Sequence, residues 1–220
     1  MTLGYIVVRG KSVPVRAVVH GFDKTGMHFT ALARTSKCRV VINHWTGAEN
    51  PPAKLFENMR RSRLSVHFAC DVTGELWQFM DAEAYGAHCR GYGANAYSVG
   101  IEFICRGSNF GAPNNGIIRK RRFDVLHGTR VAYDDLTLSQ IFAGVALNEA
   151  LCGAYGLPMR VPEQGADVYT GVLSARQAAI YEGCAGHLNF EPKKHDPGAT
   201  LLRAIRDCGR GIEGPPLGVA

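Results

Sequence analysis

Cys38-Arg39-Val40-Val41-Ile42-Asn43-His44-Trp45-Thr46-Gly47 is the stretch on which the fold turns. Its apolar, β-branched run over 38–43 is bounded by charge on one side and a polar loop on the other, which predicts a buried strand. His44 then stands at the carboxyl end of that strand, where sites collect in α/β sheets.

Ser98–Ile104 reads as a second strand, with Val99, Ile101 and Phe103 on one face and Gly100 and Glu102 on the other. A carboxylate within an apolar strand is costly unless it is partnered. Ser65–Cys70 and Glu75–Met80 flank Asp71-Val72-Thr73-Gly74 as a hairpin. Towards the N-terminus, residues 4–8 and 13–20 read as strands split by an Arg9-Gly10-Lys11 turn, and Met27–Arg34 is a weaker third. Residues 1–36 are therefore expected to form a β-rich extension packed on the same domain.

Helices are signalled by their ends. Pro51-Pro52 opens one, with Leu55, Met59 and Leu64 as its apolar stripe. Thr137-x-x-Gln140 is a capping box followed by Leu138, Ile141, Phe142 and Val145, and Gly156 and Pro158 stop that helix. Ser174-x-x-Gln177 starts another in the same way, with Cys184 expected in helix core. A last helix is expected over 200–208, with Leu201, Leu202, Ile205 and Cys208 on one side. Strands interleaved with helices predict an α/β fold with a mixed central β-sheet flanked by helices. The main domain is expected over 37–208, with insertions near 105–135 and 160–173 and a frayed tail over 209–220.

The 220 residues are 46% apolar and 20% charged, enough for one sizeable core. No run approaches the roughly 20 apolar residues that a membrane-spanning helix needs. The N-terminus lacks the basic, apolar and small-residue order of a secretory signal, so synthesis in the cytoplasm is expected. Seven cysteines without paired spacing read as reduced, mostly buried thiols. A formal charge of +6 favours polyanionic partners, among them nucleic acid and the bacterial envelope. No nucleic-acid motif or aromatic stacking platform accompanies it, so nucleic acid is not expected as a partner. The basic run Arg119-Lys120-Arg121-Arg122 reads as a solvated face on an inserted surface excursion.

Gly186-His-Leu-Asn-Phe-Glu-Pro-Lys-Lys-His-Asp-Pro-Gly198 concentrates titratable groups in a loop punctuated by Pro192 and Pro197. His187 and Asp196 could bind a divalent metal, with Lys194 pointing at whatever the metal polarises. A catalytic zinc site needs three protein ligands and an open position, and His44 is the natural third candidate. His195 competes with Asp196 but points differently as its neighbour. Cys184-x-x-His187 would serve as half of a structural zinc site only with a second Cys or His pair, and none stands at suitable spacing.

Taken in order, Val41-Ile42-Asn43-His44-Trp45-Thr46, Ser65-Val66-His67-Phe68, His88 through Asn95 to Ser98-Val99-Gly100-Ile101-Glu102, Gly186-His187 and Lys194-His195-Asp196-Pro197-Gly198 resemble the type-2 N-acetylmuramoyl-L-alanine amidases. That family includes phage endolysins, muropeptide-recycling amidases and peptidoglycan-recognition proteins. The resemblance implies one zinc ion held by His44, His187 and Asp196. It implies Glu102 as the acid/base group, Lys194 as the ammonium that stabilises the oxyanion together with the metal, and His88 and Asn95 lining the substrate groove. Val66 stands where phage-lysozyme-type members have a catalytic tyrosine, which leaves that role to Glu102. The implied reaction is hydrolysis of the amide joining N-acetylmuramic acid to L-alanine in peptidoglycan. A monomeric endolysin released to the cell wall, with holin-dependent export, is the leading expectation. A cytoplasmic recycling amidase acting on anhydro-muropeptides and a non-catalytic peptidoglycan-binding module are the alternatives.

Overall fold

A computed structural model of the chain describes residues 3–21, 34–112 and 114–211. Strands β1 (Gly4–Val8) and β2 (Lys11–Val15) form a hairpin whose Arg9-Gly10 turn has both φ angles positive, at 55° and 69°. That is the turn geometry that matches the twist of paired strands. The strand expected over 13–20 is divided, because β2 stops at Val15 and β3 (Val19–His20) joins another sheet. The Met27–Arg34 expectation lies outside the described residues, apart from Arg34 itself, which is not in a strand.

Strand β4 (Val40–Trp45) leads to helix α1 (Pro52–Arg61), then β5 (Phe68–Cys70), β6 (Leu76–Gln78) and β7 (Ser98–Phe103). Helix α1 buries Leu55 and Met59 but ends before Leu64, which is half-exposed. The expected surface excursion carries an antiparallel hairpin, β8 (Arg121–Leu126) with β9 (Thr129–Asp134). Helix α2 (Leu138–Tyr155) starts at the expected Thr137/Gln140 capping box and stops at Gly156, whose left-handed φ of 67° closes its carboxyl end. A short hairpin, β10 (Glu163–Gln164) with β11 (Asp167–Val168), lies where the second insertion is expected.

Helix α3 (Ala175–Ile180) has the Ser174/Gln177 capping box but only six residues. Cys184 is not in helix core: it lies on strand β12 (Gly183–Gly186), paired parallel to β4. Helix α4 (Thr200–Gly209) closes the order and buries Leu201, Leu202 and Ile205. All seven cysteines are free thiols, and all but Cys208 are buried. No helix among the described residues is long and apolar enough to cross a membrane.

The central sheet is mixed and six-stranded, in the order β12-β4-β7-β5-β6-β3. Strands β12, β4, β7 and β5 run parallel, and β6 is antiparallel to β5. Parity along the strands divides its faces. Val41, Phe68, Cys70, Val99, Ile101, Phe103 and Cys184 join α2, α4 and the β1–β2 hairpin in one core. Val40, Ile42 and Ala185 face the other way, against Ala178 of α3 and Phe190, while Ala69 meets α1. Burying these apolar side chains, at roughly 1.5–3 kcal/mol each for the larger ones, holds helices against both faces.

Candidate active site

Because β12, β4 and β7 are parallel, their carboxyl ends coincide, and each delivers a polar group there. The parity that puts Val40 and Ile42 on the second face puts His44 there as well. Glu102 is its direct cross-strand neighbour on β7. His187 follows the last residue of β12 and opens a single 3-10 turn, so it arrives beside His44. Asp196 returns to the same place because its carbonyl accepts the Leu188 N–H at 3.0 Å.

His44 Nδ1, His187 Nδ1 and Asp196 Oδ2 form a triangle with edges of 3.0, 3.0 and 3.3 Å. Tetrahedral ligands about 2.0–2.1 Å from zinc stand about 3.3 Å apart, so three potential ligand atoms already sit near the corners that such an ion requires. All three residues are buried. Burial and the His187 charge lower the His44 pKa to about 4. Burial also disfavours a charged His187, but the Asp196 carboxylate overrides this and raises its pKa, while both imidazoles hold Asp196 below the usual carboxylate range. This pairing is what two imidazoles and a carboxylate do when forced together, and a divalent cation would replace the shared proton.

The cleft above the triangle has a volume of about 350 Å³ and is lined by His44, Trp45, His88, Glu102, His187, Lys194, His195 and Asp196, among others. Glu102 Oε2 is buried without a hydrogen-bond partner. Burial first, and then repulsion from Asp196, push its pKa up to about 8. A carboxyl poised near neutrality in a cleft is a ready acid and base. Lys194 is exposed at the rim. His195 faces the His127 ring, with centroids 6.1 Å apart, and contributes no atom to the triangle.

Not every expected groove residue reaches the groove. Asn95 is not among the residues lining the cleft: its Oδ1 accepts the backbone N–H groups of His88 and Cys89 at 2.9 and 2.7 Å. His88 does line it, yet its Nδ1 lies 3.0 Å from His44 Nε2, beneath the triangle. Gly100 is what admits that ring, since a Cβ there would come within 2.6 Å of it. Val66 is buried beside Leu55 and Met59. Sequence reasoning missed Glu191, whose Oε1 lies 3.1 Å from His187 Nε2. Its i+4 spacing from His187 was the available signal.

A search by sequence for curated relatives returns no match. Among solved structures, the fold is similar to the endolysin N-acetylmuramoyl-L-alanine amidase LysCS from Clostridium intestinale URNW, at 14% identity and a TM-score of 0.55, covering 89% of this chain and 96% of that one. The amidase LysC from the same organism gives 14% identity and a TM-score of 0.54 over 89% and 98%. PlyL gives 14% and 0.51 over 87% and 97%. The model of the N-acetylmuramoyl-L-alanine amidase family matches residues 34–199, a span that holds the triangle, Glu102 and Lys194. On that match, the chain belongs to the N-acetylmuramoyl-L-alanine amidases.

Proposed function

We propose that this amidase is zinc-dependent and acts as a phage-type endolysin, cleaving the amide between the lactyl group of N-acetylmuramic acid and L-alanine in peptidoglycan. The observation that carries the metal is the 3.0, 3.0 and 3.3 Å triangle of His44, His187 and Asp196. A zinc ion held there would lower the pKa of a bound water to about 7 and polarise the scissile carbonyl.

The side chains of this cleft supply the rest. Glu102, as carboxylate, takes one proton from the attacking water while the new C–O bond forms at the carbonyl carbon. The Lys194 ammonium at the rim faces the developing oxyanion, a contribution of several kcal/mol in comparable sites. Glu102 then returns its proton to the L-alanine nitrogen as the C–N bond breaks, leaving a free amine on the peptide and a carboxylic acid on the lactyl group, which ionises by releasing the second proton of the water. Burial beside Asp196 raises the pKa of Glu102 in the metal-free site, which suits the half-cycle in which it carries the proton, and the charge of a bound cation would favour the carboxylate that starts it. The endolysin role draws on the likeness in fold to an endolysin amidase and on the charge of +6, which favours the anionic wall. In this reading the protein works as a monomer, and a holin lets it reach the wall.

The test combines metal analysis with mass spectrometry of digested sacculi. One equivalent of zinc and release of peptides beginning with L-alanine are expected, both lost in His44→Ala. Release undiminished in that variant would sink the assignment. A strong preference for soluble anhydro-muropeptides over sacculi would replace the endolysin role with a recycling one.

A further inference from the structure

We infer that Glu191 and His88 are the positioning residues of the metal site, each meeting the far nitrogen of one ligand imidazole so that both rings present Nδ1 to the ion. The inference rests on the zinc reading above.

A neutral imidazole carries one N–H, and the group that accepts it decides which nitrogen is left as a ligand. His44 turns Nδ1 to the triangle and Nε2 to His88 Nδ1 at 3.0 Å. With Nδ1 of His88 accepting, its Nε2–H faces Ser98 Oγ at 3.3 Å, and the Ser98 hydroxyl donates to the Ala94 carbonyl at 2.7 Å. The chain of donors therefore runs one way and ends on a backbone oxygen. His187 likewise turns Nδ1 to the triangle, and its buried Nε2 lies 3.1 Å from Glu191 Oε1, off the ring N–H direction. That distance is within reach of a charge-assisted pair between the ring nitrogen and the carboxylate.

Glu191 is itself held for this task. The same Oε1 accepts the backbone N–H groups of Arg90 and Gly91 at 2.9 and 3.2 Å. Gly91 permits that approach, since a Cβ there would stand 2.2 Å from the Phe190 carbonyl. Cys89, His187 and Glu191 could be taken for a second metal cluster. His187 belongs to both clusters and argues against the second, because a neutral imidazole that gives Nδ1 to the ion keeps its proton on Nε2. Asn95 completes the arrangement by fixing the backbone of His88 and Cys89. One segment, 88–95, thus orients both histidine ligands from behind.

The test titrates zinc into metal-stripped protein against a chelating fluorophore. Glu191→Ala and His88→Ala should each weaken zinc binding by about 10- to 100-fold, whereas Glu191→Gln and His88→Asn, which keep an acceptor oxygen, should stay within about threefold. The cobalt(II) absorption spectrum should shift in the alanine variants while their metal-free melting temperatures move little. If an alanine variant fails to fold, Glu191→Met or His88→Leu, which refill the volume without an acceptor, decides by the same readouts. Zinc affinity within threefold of wild type in the variants lacking an acceptor at both positions would overturn the inference. Wild-type protein that binds no zinc would instead overturn the functional reading beneath it.

Discussion

Two clusters of buried charge lie towards the carboxyl ends of β4 and β7, and they are built on opposite principles. At the base of the β8–β9 hairpin, the Arg119 and Glu49 side chains are 1% and 0% exposed and form an ion pair. Arg119 also donates to the carbonyls of Ile104 and Asp135 and to Gln140 Oε1. Asp135 accepts from Arg122 and Thr200 at 2.9 Å each. Glu49 and Glu102 both leave Oε2 unpartnered, but Glu49 holds Arg119 on Oε1, whereas Glu102 forms no ion pair among the described residues and Asp196 repels it. A carboxylate held by a cation with shared hydrogen bonds fixes a structure, and a carboxyl without one is free to exchange a proton.

The largest effects should come from the cluster around Glu102, which no cation pairs. Glu102→Gln should reduce hydrolysis of sacculi by about 10²- to 10⁴-fold, the usual contribution of a positioned acid/base group. The same change should stabilise metal-stripped protein at alkaline pH. A carboxyl whose folded pKa is about 8, above its ordinary 4.5, favours folding only while protonated, so its contribution falls as pH rises through that interval. Part of the side chain opens on the cleft, so the gain at pH 8.5 should be on the order of 1–3 kcal/mol and vanish near pH 4. Denaturant melts at both pH values would check it. Equal stability at pH 8.5 would mean that Glu102 is satisfied after all.

The ion-paired cluster should respond in stability alone. Arg119→Ala strands Glu49 in the interior and should cost about 3–5 kcal/mol, whereas Glu49→Leu combined with Arg119→Met should recover most of it. Activity per folded molecule should be unchanged in both. A selective loss of activity at full stability would erase the contrast between the clusters.

His67 tests a third condition, in which a buried group is satisfied only when neutral. Its Nδ1 accepts the Gly100 N–H at 2.9 Å and its Nε2 faces the Ala84 carbonyl at 2.9 Å. Burial lowers its pKa to about 3, so the unfolded chain binds the extra proton as pH falls below about 6.5. Stability should therefore fall by about 1.4 kcal/mol per pH unit from this group between about 6.5 and 3. His67→Gln should flatten that slope in acid melts, and an unchanged slope would assign it elsewhere.

The parity of β7 was readable from sequence because Val99, Ile101 and Phe103 alternate with Gly100 and Glu102, whereas β4 is a continuous apolar run whose face is set only by its pairing, which brings His44 beside Glu102. Strand β12 was not readable. Gly183-Cys184-Ala185-Gly186 has no bulky residue to carry a period, and only pairing with Val40–Asn43 makes it a strand. Asn95 and Glu191 show a second limit: a polar residue near a site has the same composition whether it faces substrate or braces the backbone behind it. The capping boxes were legible because their partners lie within three residues, whereas Arg119 finds Glu49 seventy positions away.

The run Arg119-Lys120-Arg121-Arg122 carries the comparison to a single residue step, and here the smallest effect is expected. Sequence assigns the four cations to one solvated face, but Arg119 is core and Arg121 is 53% exposed. Arg121 Nη2 lies 3.7 Å from Asp134 Oδ1, and its guanidinium sits 4.1 Å from the Phe110 ring centroid. An exposed ion pair and an exposed cation–π contact together contribute about 1 kcal/mol or less. Arg121→Gln should therefore shift stability by about 1 kcal/mol at most, against the 3–5 kcal/mol of Arg119→Ala two positions earlier. Because Asp134 and Asp135 already meet Arg121 and Arg122, the same variant should elute from a heparin column at nearly the wild-type salt concentration. Marked loss of heparin retention would make the run a polyanion contact and not a neutralised brace beneath the hairpin.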